Sequence, residues 1–240
     1  KAPFDNVNVR KALNLSLDRN VITDKVLGQG QTPTYVFTPT YIEEGHLIQQ
    51  PAYSKEPMAQ RNEEAIKLLE EAGYSKANPL KFTILYNTNE NHKKVAIAAA
   101  SMWKANTKGL IDVKLENQEW KTYIDSRRAG RYDAARAGWN ADYNQATTFG
   151  NYFLSNSSNN TAKYANPEYD KAIAESYVAT DAEGRAKAYA KAEEILAKDF
   201  GIVPIFNYVN PRLVKPYVKG YSGKDPQDHI YLRNLYIIKH

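Results

Sequence analysis

The stretch Leu80-Lys-Phe-Thr-Ile-Leu-Tyr-Asn87 decides the fold class. Phe82, Ile84 and Tyr86 alternate with their neighbours, which is the pattern of a half-buried β-strand. The residues that follow place an apolar set on one face of a helix: Val95, Ala98, Ala99, Met102 and Trp103. A strand that leads directly into an amphipathic helix is the first half of a β-α-β unit.

The same pattern continues towards the C-terminus. Residues 111–115 alternate as in a strand, residues 119–130 return to helical periodicity, and residues 134–139 alternate once more. Strands that are separated by helices need crossover connections, and crossovers place strands parallel. The sequence therefore predicts an α/β fold, with a mixed sheet that contains parallel pairs and is flanked by helices.

The flanking segments predict further helices and two long irregular regions. Residues 28–57 lack periodicity, and loops of that length are usually functional or packed over another domain. Residues 151–160 predict a Ser/Asn-rich loop and residues 202–209 a strand, whereas the apolar end at 236–238 has no evident partner strand. Periodicity and capping residues predict helices over 9–17, 18–26, 61–72, 167–178 and 181–198.

Composition narrows the function classes. The 240 residues are 42% hydrophobic and 25% charged, which is ordinary for a folded protein. The net charge of +5 is spread over 32 basic and 27 acidic residues without a basic block, so nucleic acid is not an expected partner. The absence of cysteine excludes disulfides and thiolate metal sites and fits the periplasm and the cytosol equally well. No apolar run approaches the roughly 20 residues that cross a bilayer.

Signatures of catalysis, metal binding and phosphate binding are also lacking. The serines of the Asn-rich loop have no nucleophile elbow, and Gly28-Gln-Gly30 does not open a helix. The histidines are scattered without the spacing of metal ligands: His46, His92, His229 and His240. We therefore expect no enzyme, no metal and no cofactor.

The segment Asp133-Ala-Ala-Arg-Ala-Gly-Trp-Asn-Ala-Asp-Tyr-Asn144 holds the candidate binding residues. Alternation places Arg136 among small neighbours, and Asp142 follows a Gly-Trp pair. Buried charges are costly unless they are paired. The segment therefore predicts a ligand that carries both an ammonium and a carboxylate group.

Two further cations are candidates for the same site. Arg127 lies in line with Trp120, Tyr123 and Ile124 on one helical face, so it either points inward or extends along packed surface. His92 opens a helix, where a lone histidine is more often solvated than functional.

Several motifs, spread along the chain, resemble those of one family: Val9-Arg-Lys-Ala-Leu-Asn-Leu-Ser-Leu-Asp-Arg19, Asn117-Gln-Glu-Trp-Lys-Thr122, Ala135-Arg-Ala-Gly-Trp139, Ala141-Asp-Tyr-Asn144 and Leu213-Val-Lys-Pro216. They are similar to the periplasmic oligopeptide-binding proteins of peptide ABC importers, the extracytoplasmic solute-binding family 5. The resemblance implies that the chain is the C-terminal half of such a two-lobed protein. Residues 1–219 would form the distal lobe, and residues 220–240 would return to the first lobe.

The resemblance also implies a function and partners. The protein would bind short peptides with little sequence selectivity in the periplasm and deliver them to the membrane subunits of an ABC permease. This chain would carry half of the binding cleft, and the missing N-terminal lobe would carry the other half. A relative tuned to murein peptide, haem or a metal chelate remains an alternative, and a peptidase is a further one.

Roles for individual residues follow from the same resemblance. Asp142 would pair with the α-ammonium group of the peptide, and backbone groups of Gly138 and Asn140 would bond to the peptide main chain. The other implied ligand-binding residues are Trp120 and Trp139 as pocket walls, Arg127, Arg136 and His92 as carboxylate partners, and Tyr208 as a polar contact.

Overall fold

A computed structural model of the chain describes residues 1–223, 225 and 228–239, so Lys224, Pro226, Gln227 and His240 lie outside the described residues. Its helices are α1 Val7–Leu15, α2 Arg19–Val21, α3 Met58–Glu71, α4 Glu90–Asn106, α5 Trp120–Arg128, α6 Thr147–Gly150, α7 Pro167–Val178 and α8 Ala182–Lys198. Its strands are β1 Thr32–Pro33, β2 Leu80–Asn87, β3 Ile111–Gln118, β4 Ala134–Ala135, β5 Phe206–Asn207, β6 Val218–Lys219 and β7 Tyr236–Ile237. Helical turns that are not α-helical lie at Ile22–Leu27, Ala52–Lys55, Asn151–Phe153 and Leu232–Asn234. Within the described ranges, no helix has the length and apolar character needed to cross a membrane.

A three-stranded parallel sheet organises the first part of the fold, in the order β3-β2-β4. Helix α4 connects β2 to β3 and helix α5 connects β3 to β4, as the alternating pattern of strands and helices predicts. The α/β class with flanking helices is therefore confirmed. Antiparallel pairs occur in separate two-stranded ladders, β1 with β5 and β6 with β7.

Two apolar cores hold the chain together. The first packs β2 and α4 against α1 and α3, and Trp103 within it donates its indole N–H to the carbonyl of Leu13 at 2.9 Å. The second packs α6, α7 and α8 against residues of the long irregular segment, among them Val36 and Ile42. The central strand β2 buries its alternating apolar side chains Phe82 and Ile84 in the first core.

Arg19 fastens the irregular segment 28–57 to the first core. Its fully buried guanidinium donates to the carbonyls of Thr34 at 3.1 Å and Pro204 at 2.7 Å, and it lies 4.0 Å from the ring centre of Tyr35. It also bonds to the backbone and side chain of Asn14. Because a buried charge needs such partners, Arg19 holds the backbone of Asn14, Thr34 and Pro204 together at one point.

Four predictions for individual segments need correction. The strand predicted over 134–139 is restricted to Ala134–Ala135, and the strand predicted over 202–209 is restricted to Phe206–Asn207. Each of these strands pairs with its neighbour over two residues only, β4 with β2 and β5 with β1, and both lie on the wall of an open cleft. The loop predicted at 151–160 begins with a helical turn at Asn151–Phe153, whose aromatic side chains are buried in the second core. The apolar tail does have a partner strand, because β7 pairs with β6 across the predicted boundary at 219/220.

Candidate functional site

A cleft of about 1640 Å³ opens between the two cores. Its walls come from the irregular segment at 34–42, the stretch 132–141 that contains β4, and the stretch 199–210 that contains β5. Apolar and aromatic side chains such as Val36 and Trp139 line the cleft together with many charged and amide side chains, among them Arg136 and Asn140. A concave site that combines apolar surface with polar groups is typical of ligand binding.

The carboxyl ends of the parallel strands supply one polar edge of the site. Strand β2 ends at Asn87, and α4 begins three residues later with Asn89 as its cap, which accepts the backbone N–H of His92 at 3.1 Å. The Nδ1 atom of His92 lies 2.8 Å from Oδ1 of Asn87. Ligands of α/β proteins bind outside this end of a parallel sheet, so His92 occupies a suitable position.

His92 also lies within the electrostatic reach of Arg136. Burial of the imidazole, and then the positive charge of Arg136, lower the pKa of His92 to about 4. The ring is therefore neutral at pH 7, and it can act as a hydrogen-bonding group but not as a cation.

Arg136 is held by its neighbours from both its main chain and its side chain. Its backbone N–H donates to the carbonyl of Leu85 at 2.8 Å, and its carbonyl accepts the hydroxyl of Tyr123. The guanidinium donates to the hydroxyl of Tyr208 and lies 5.6 Å from the centre of that ring. The sequence predicted an unpaired charge here, whereas the structure provides a phenol. This hydrogen bond orients the guanidinium of Arg136 on the wall of the cleft.

Gly138 allows the close approach of Tyr208. A Cβ atom on Gly138 would overlap the hydroxyl and the outer ring carbons of Tyr208. The next residue, Trp139, packs edge-on against Tyr152 with ring centres 5.0 Å apart, and its indole N–H donates to Oγ1 of Thr148 at 3.4 Å. The small residue followed by a fixed indole shapes one wall of the cleft.

Asp142 lies in an exposed loop, and Asn140 is exposed beside it. The backbone N–H of Asp142 donates to Oγ1 of Thr148 at 3.1 Å, and the Thr148 hydroxyl donates to Oδ2 of Asp142 at 3.4 Å. The expectation of a buried carboxylate is therefore wrong for this chain. The alternating pattern breaks after β4, so the backbone carries Asp142 to the rim instead of into a core.

Arg127 and Trp120 share the helix α5 but have different surroundings. Arg127 points inward and donates from one terminal nitrogen to the hydroxyls of Tyr152 and Thr161, both at 3.0 Å. Trp120 is 56% exposed and stacks on Tyr123 with ring centres 5.8 Å apart. Of the alternatives left by the sequence, the inward orientation of Arg127 is confirmed.

Sequence comparison places this architecture in a family. The profile of the Bacterial extracellular solute-binding proteins, family 5 Middle, matches residues 1–161, which is more than half of the chain. The chain belongs to this family. The predicted family membership is thereby confirmed.

Individual members of family 5 match along the whole chain. The chain is 97% identical over 240 residues to the Periplasmic oligopeptide-binding protein OppA of Haemophilus influenzae and 55% identical to that of Salmonella typhimurium. All of this chain is covered in both comparisons, but it spans only 44% of the length of each relative. A crystal structure of Haemophilus influenzae OppA in complex with RPPGFSPFR matches with a TM-score of 0.93 and 97% identity, over all of this chain and 47% of that one.

The fold brings together part of the site that the resemblance to family 5 implies. The cleft is lined by Arg136, Gly138, Trp139, Asn140 and Tyr208. The remaining implied residues lie outside its lining: His92 at the edge of the sheet, Asp142 on the neighbouring loop, and Arg127 and Trp120 on α5. In the described part of the chain, no group of three or more acidic or histidine side chains is arranged to hold a metal ion.

Thr148 and Tyr123 are site residues that sequence reasoning missed in this family 5 chain. Thr148 holds both Trp139 and Asp142, and Tyr123 holds the backbone of Arg136. Tyr123 did carry a signal, because it shares the apolar stripe of α5 with Arg127. Thr148 carried none, since its contacts depend on how a loop folds back.

Proposed function

We propose that this chain forms one side of the peptide-binding cleft of a periplasmic oligopeptide-binding protein. The observation that carries the proposal is its 97% identity, over the whole chain, with a protein of that name whose structure contains RPPGFSPFR. In the full-length protein, residues 1–219 form the distal lobe and residues 220–240 return to the first lobe. The assembled protein binds short peptides in the periplasm and passes them to the membrane subunits of an ABC permease.

The geometry supports recognition of the peptide main chain. Strand β4 ends at Ala135, and the backbone beyond it remains on the wall of the cleft through Asn140. An extended ligand that pairs with such a backbone gains hydrogen bonds whatever its side chains are. Roomy pockets beside Trp139 then accept side chains of different sizes with bridging water, which accounts for low sequence selectivity.

Opposite charges on the site suit the two ends of a peptide. Asp142 on the rim is the partner of the α-ammonium group, and the oriented cation of Arg136 is a partner for carboxylates. Arg127 and the neutral His92 extend the polar surface for longer ligands, with Trp120 as an outer wall and Tyr208 as a polar contact. Tyr208 therefore acts both on Arg136 and on the ligand.

A peptide-binding protein differs from a peptidase because it leaves the bound peptide intact. The relatives reported above are binding proteins by name, which supports a function other than catalysis. Trialanine incubated with the full-length protein should be recovered intact by mass spectrometry. Recovery of alanine or dialanine above the level of a protein-free control would contradict the proposal.

Asp142→Asn in the full-length protein tests the proposed anchor. The variant keeps the size of the side chain but removes the charge that faces the ammonium group. We expect the affinity for trialanine, measured by calorimetry, to fall at least tenfold, consistent with roughly 1.5–3 kcal/mol for a hydrogen bond to a charged group. The same substitution at Asp125, on the exposed face of α5, is the matched control and should have no effect. A loss below tenfold in Asp142→Asn would show that the anchor is misassigned.

A further inference from the structure

The loop formed by residues 140–146 carries Asp142, and its position must be fixed if Asp142 is to anchor a ligand. Residues 142–144 are exposed, whereas Ala141 and Ala146 on either side of them pack in or against the second core. The core therefore holds the two ends of this exposed stretch but not the stretch itself. An exposed loop that must be ordered on binding loses conformational entropy, and that loss weakens binding. A loop that presents an anchoring carboxylate therefore needs to be held before the ligand arrives.

Hydrogen bonds to residues 43 and 44 hold this loop from the side. The backbone N–H of Ala146 donates to the carbonyl of Glu43 at 2.9 Å, and the backbone N–H of Glu43 donates to Oδ1 of Asn144 at 3.3 Å. The side chain of Gln145 donates from Nε2 to Oε2 of Glu44 at 2.9 Å. Three consecutive loop residues are thus tied to two consecutive residues of the irregular segment.

Glu44 connects this contact to a rigid helix. Its side chain is only 8% exposed, and its Oε1 accepts from Nε of Arg185 at 2.7 Å and forms an ion pair with the second terminal nitrogen at 2.6 Å. Arg185 belongs to α8, which packs against α7 in the second core. One carboxylate oxygen therefore faces the helix and the other faces the loop.

The backbone of Glu44 is unusual in a way that agrees with this role. Its φ of +64° lies in the left-handed region, which glutamate seldom adopts. Such a conformation persists where the surroundings fix it, and it often marks a functional position. Here it turns the side chain inward between Arg185 and Gln145.

We infer that Glu44 is a positioning residue for ligand binding. It transmits the fixed position of α8 to the loop 140–146, so that Asp142 is held where the ammonium group of a peptide arrives. Glu44 itself does not contact the ligand. This inference rests on the proposed function, and in particular on Asp142 as the anchor.

The test uses the full-length protein, with Glu44→Gln as the variant and trialanine and N-acetyl-trialanine as probes. Glu44→Gln keeps the shape of the side chain but removes the charge that binds Arg185. We expect about a tenfold loss of affinity for trialanine, which corresponds to roughly 1.4 kcal/mol. The affinity for N-acetyl-trialanine, which lacks the ammonium group, should change less than twofold. The double variant with Asp142→Asn should bind trialanine no more weakly than Asp142→Asn alone.

Two further variants separate positioning from general stability. Gln145→Ala removes the side-chain link between Glu44 and the loop, together with the hydrogen bond from Thr147 Oγ1 to Gln145, but keeps the ion pair of Glu44 with Arg185. It should lose affinity for trialanine but not for N-acetyl-trialanine, even if Glu44→Gln folds poorly. Glu175→Gln, which weakens an exposed pair with Lys191 on α8, is the matched control and should bind both probes like the wild type. Urea unfolding of each variant establishes that the proteins being compared are folded.

The outcomes distinguish this inference from the proposed function. Failure of the wild type to bind trialanine, or unchanged binding by Asp142→Asn, would overturn the proposed function or its anchor. If both of those tests succeed, Glu44→Gln and Gln145→Ala decide the positioning role. A loss of affinity that is equal for trialanine and N-acetyl-trialanine would show that Glu44 has a structural role only. Unchanged binding by both variants would likewise overturn the positioning role.

Discussion

At the scale of single residues, His92 is the site group whose surroundings change its chemistry most clearly. The imidazole is partly buried beside Asn87 and close to the positive charge of Arg136, and its pKa falls to about 4. A ligand carboxylate that neutralises Arg136 removes one cause of this shift. Binding of a peptide whose carboxylate reaches this point should therefore raise the pKa of His92.

We predict that His92 makes the unfolding free energy depend on pH. A base whose pKa is about 4 when folded and 6.5 when unfolded binds more protons in the unfolded chain between these values. The unfolding free energy contributed by His92 therefore decreases as the pH falls from 6.5 to 4, by about 1 kcal/mol after allowance for solvent screening of a half-exposed ring. NMR titration of the ring and urea unfolding of wild type and His92→Gln at pH 7 and pH 4.5 measure this.

A control variant removes the second cause of the lowered pKa of His92, which is the positive charge of Arg136. Arg136→Met should move the pKa of His92 upwards, towards its ordinary value, because the neighbouring positive charge is gone. A wild-type ring that titrates near 6.5 would show that the partial burial of His92 is not sustained in solution.

At the scale of elements, the first turn of α4 determines where His92 lies. The side chain of Asn89 accepts the backbone N–H of His92 at 3.1 Å, and the side chain of Asp181 caps α8 in the same way through Gly184 at 2.6 Å. We predict that Asn89→Ala and Asp181→Ala each lower the unfolding free energy by about 1 kcal/mol, measured in urea. Only Asn89→Ala should also raise the pKa of His92, since a frayed first turn exposes the ring. An equal pKa change in both variants would argue against this local coupling.

Elements with strong local patterns were predictable from the sequence, whereas the short strands were not. Strand β2 and helix α7 have the predicted bounds, because apolar periodicity and the caps lie within the segments themselves. Strands β4 and β5 are shorter than predicted, and their bounds depend on partners that are remote in sequence: β4 pairs with β2, and β5 pairs with β1 rather than with the parallel sheet. Periodicity contains no information about such partners.

In the site, too, residues marked by a local pattern were predictable, and contacts between remote residues were not. Arg136 was recognisable because a charge stands among small residues, but its phenolic partner is separated from it by 72 positions. Glu44 and Arg185 are 141 positions apart, and Arg19 and Pro204 are 185 apart. Contacts of this kind follow from the assembled fold, so the positioning residues remained hidden while the charged residues of the binding segment did not.

At the scale of the whole molecule, the distribution of exposed apolar side chains supports the proposed division into lobes. Within residues 220–240, Leu232 is 76% exposed and Ile237 of β7 is 69% exposed. Exposed apolar clusters often mark surfaces that another unit covers. On the proposed division, the first lobe covers this terminal segment in the full-length protein, and the cleft beside it gains its second wall.

The chain by itself should therefore bind peptides far more weakly than the full-length protein. Ligand sites usually bury about 70–90% of the ligand surface, and a peptide resting on one wall of an open cleft leaves much of its surface in water. We expect calorimetry to detect trialanine binding by the full-length protein and none at micromolar concentrations by residues 1–240. Circular dichroism and a cooperative thermal transition must first show that the isolated chain is folded. Micromolar binding by the folded chain would mean that the loop 140–146 and the Arg136 wall suffice for capture, and that closure by a second lobe serves release or delivery rather than affinity.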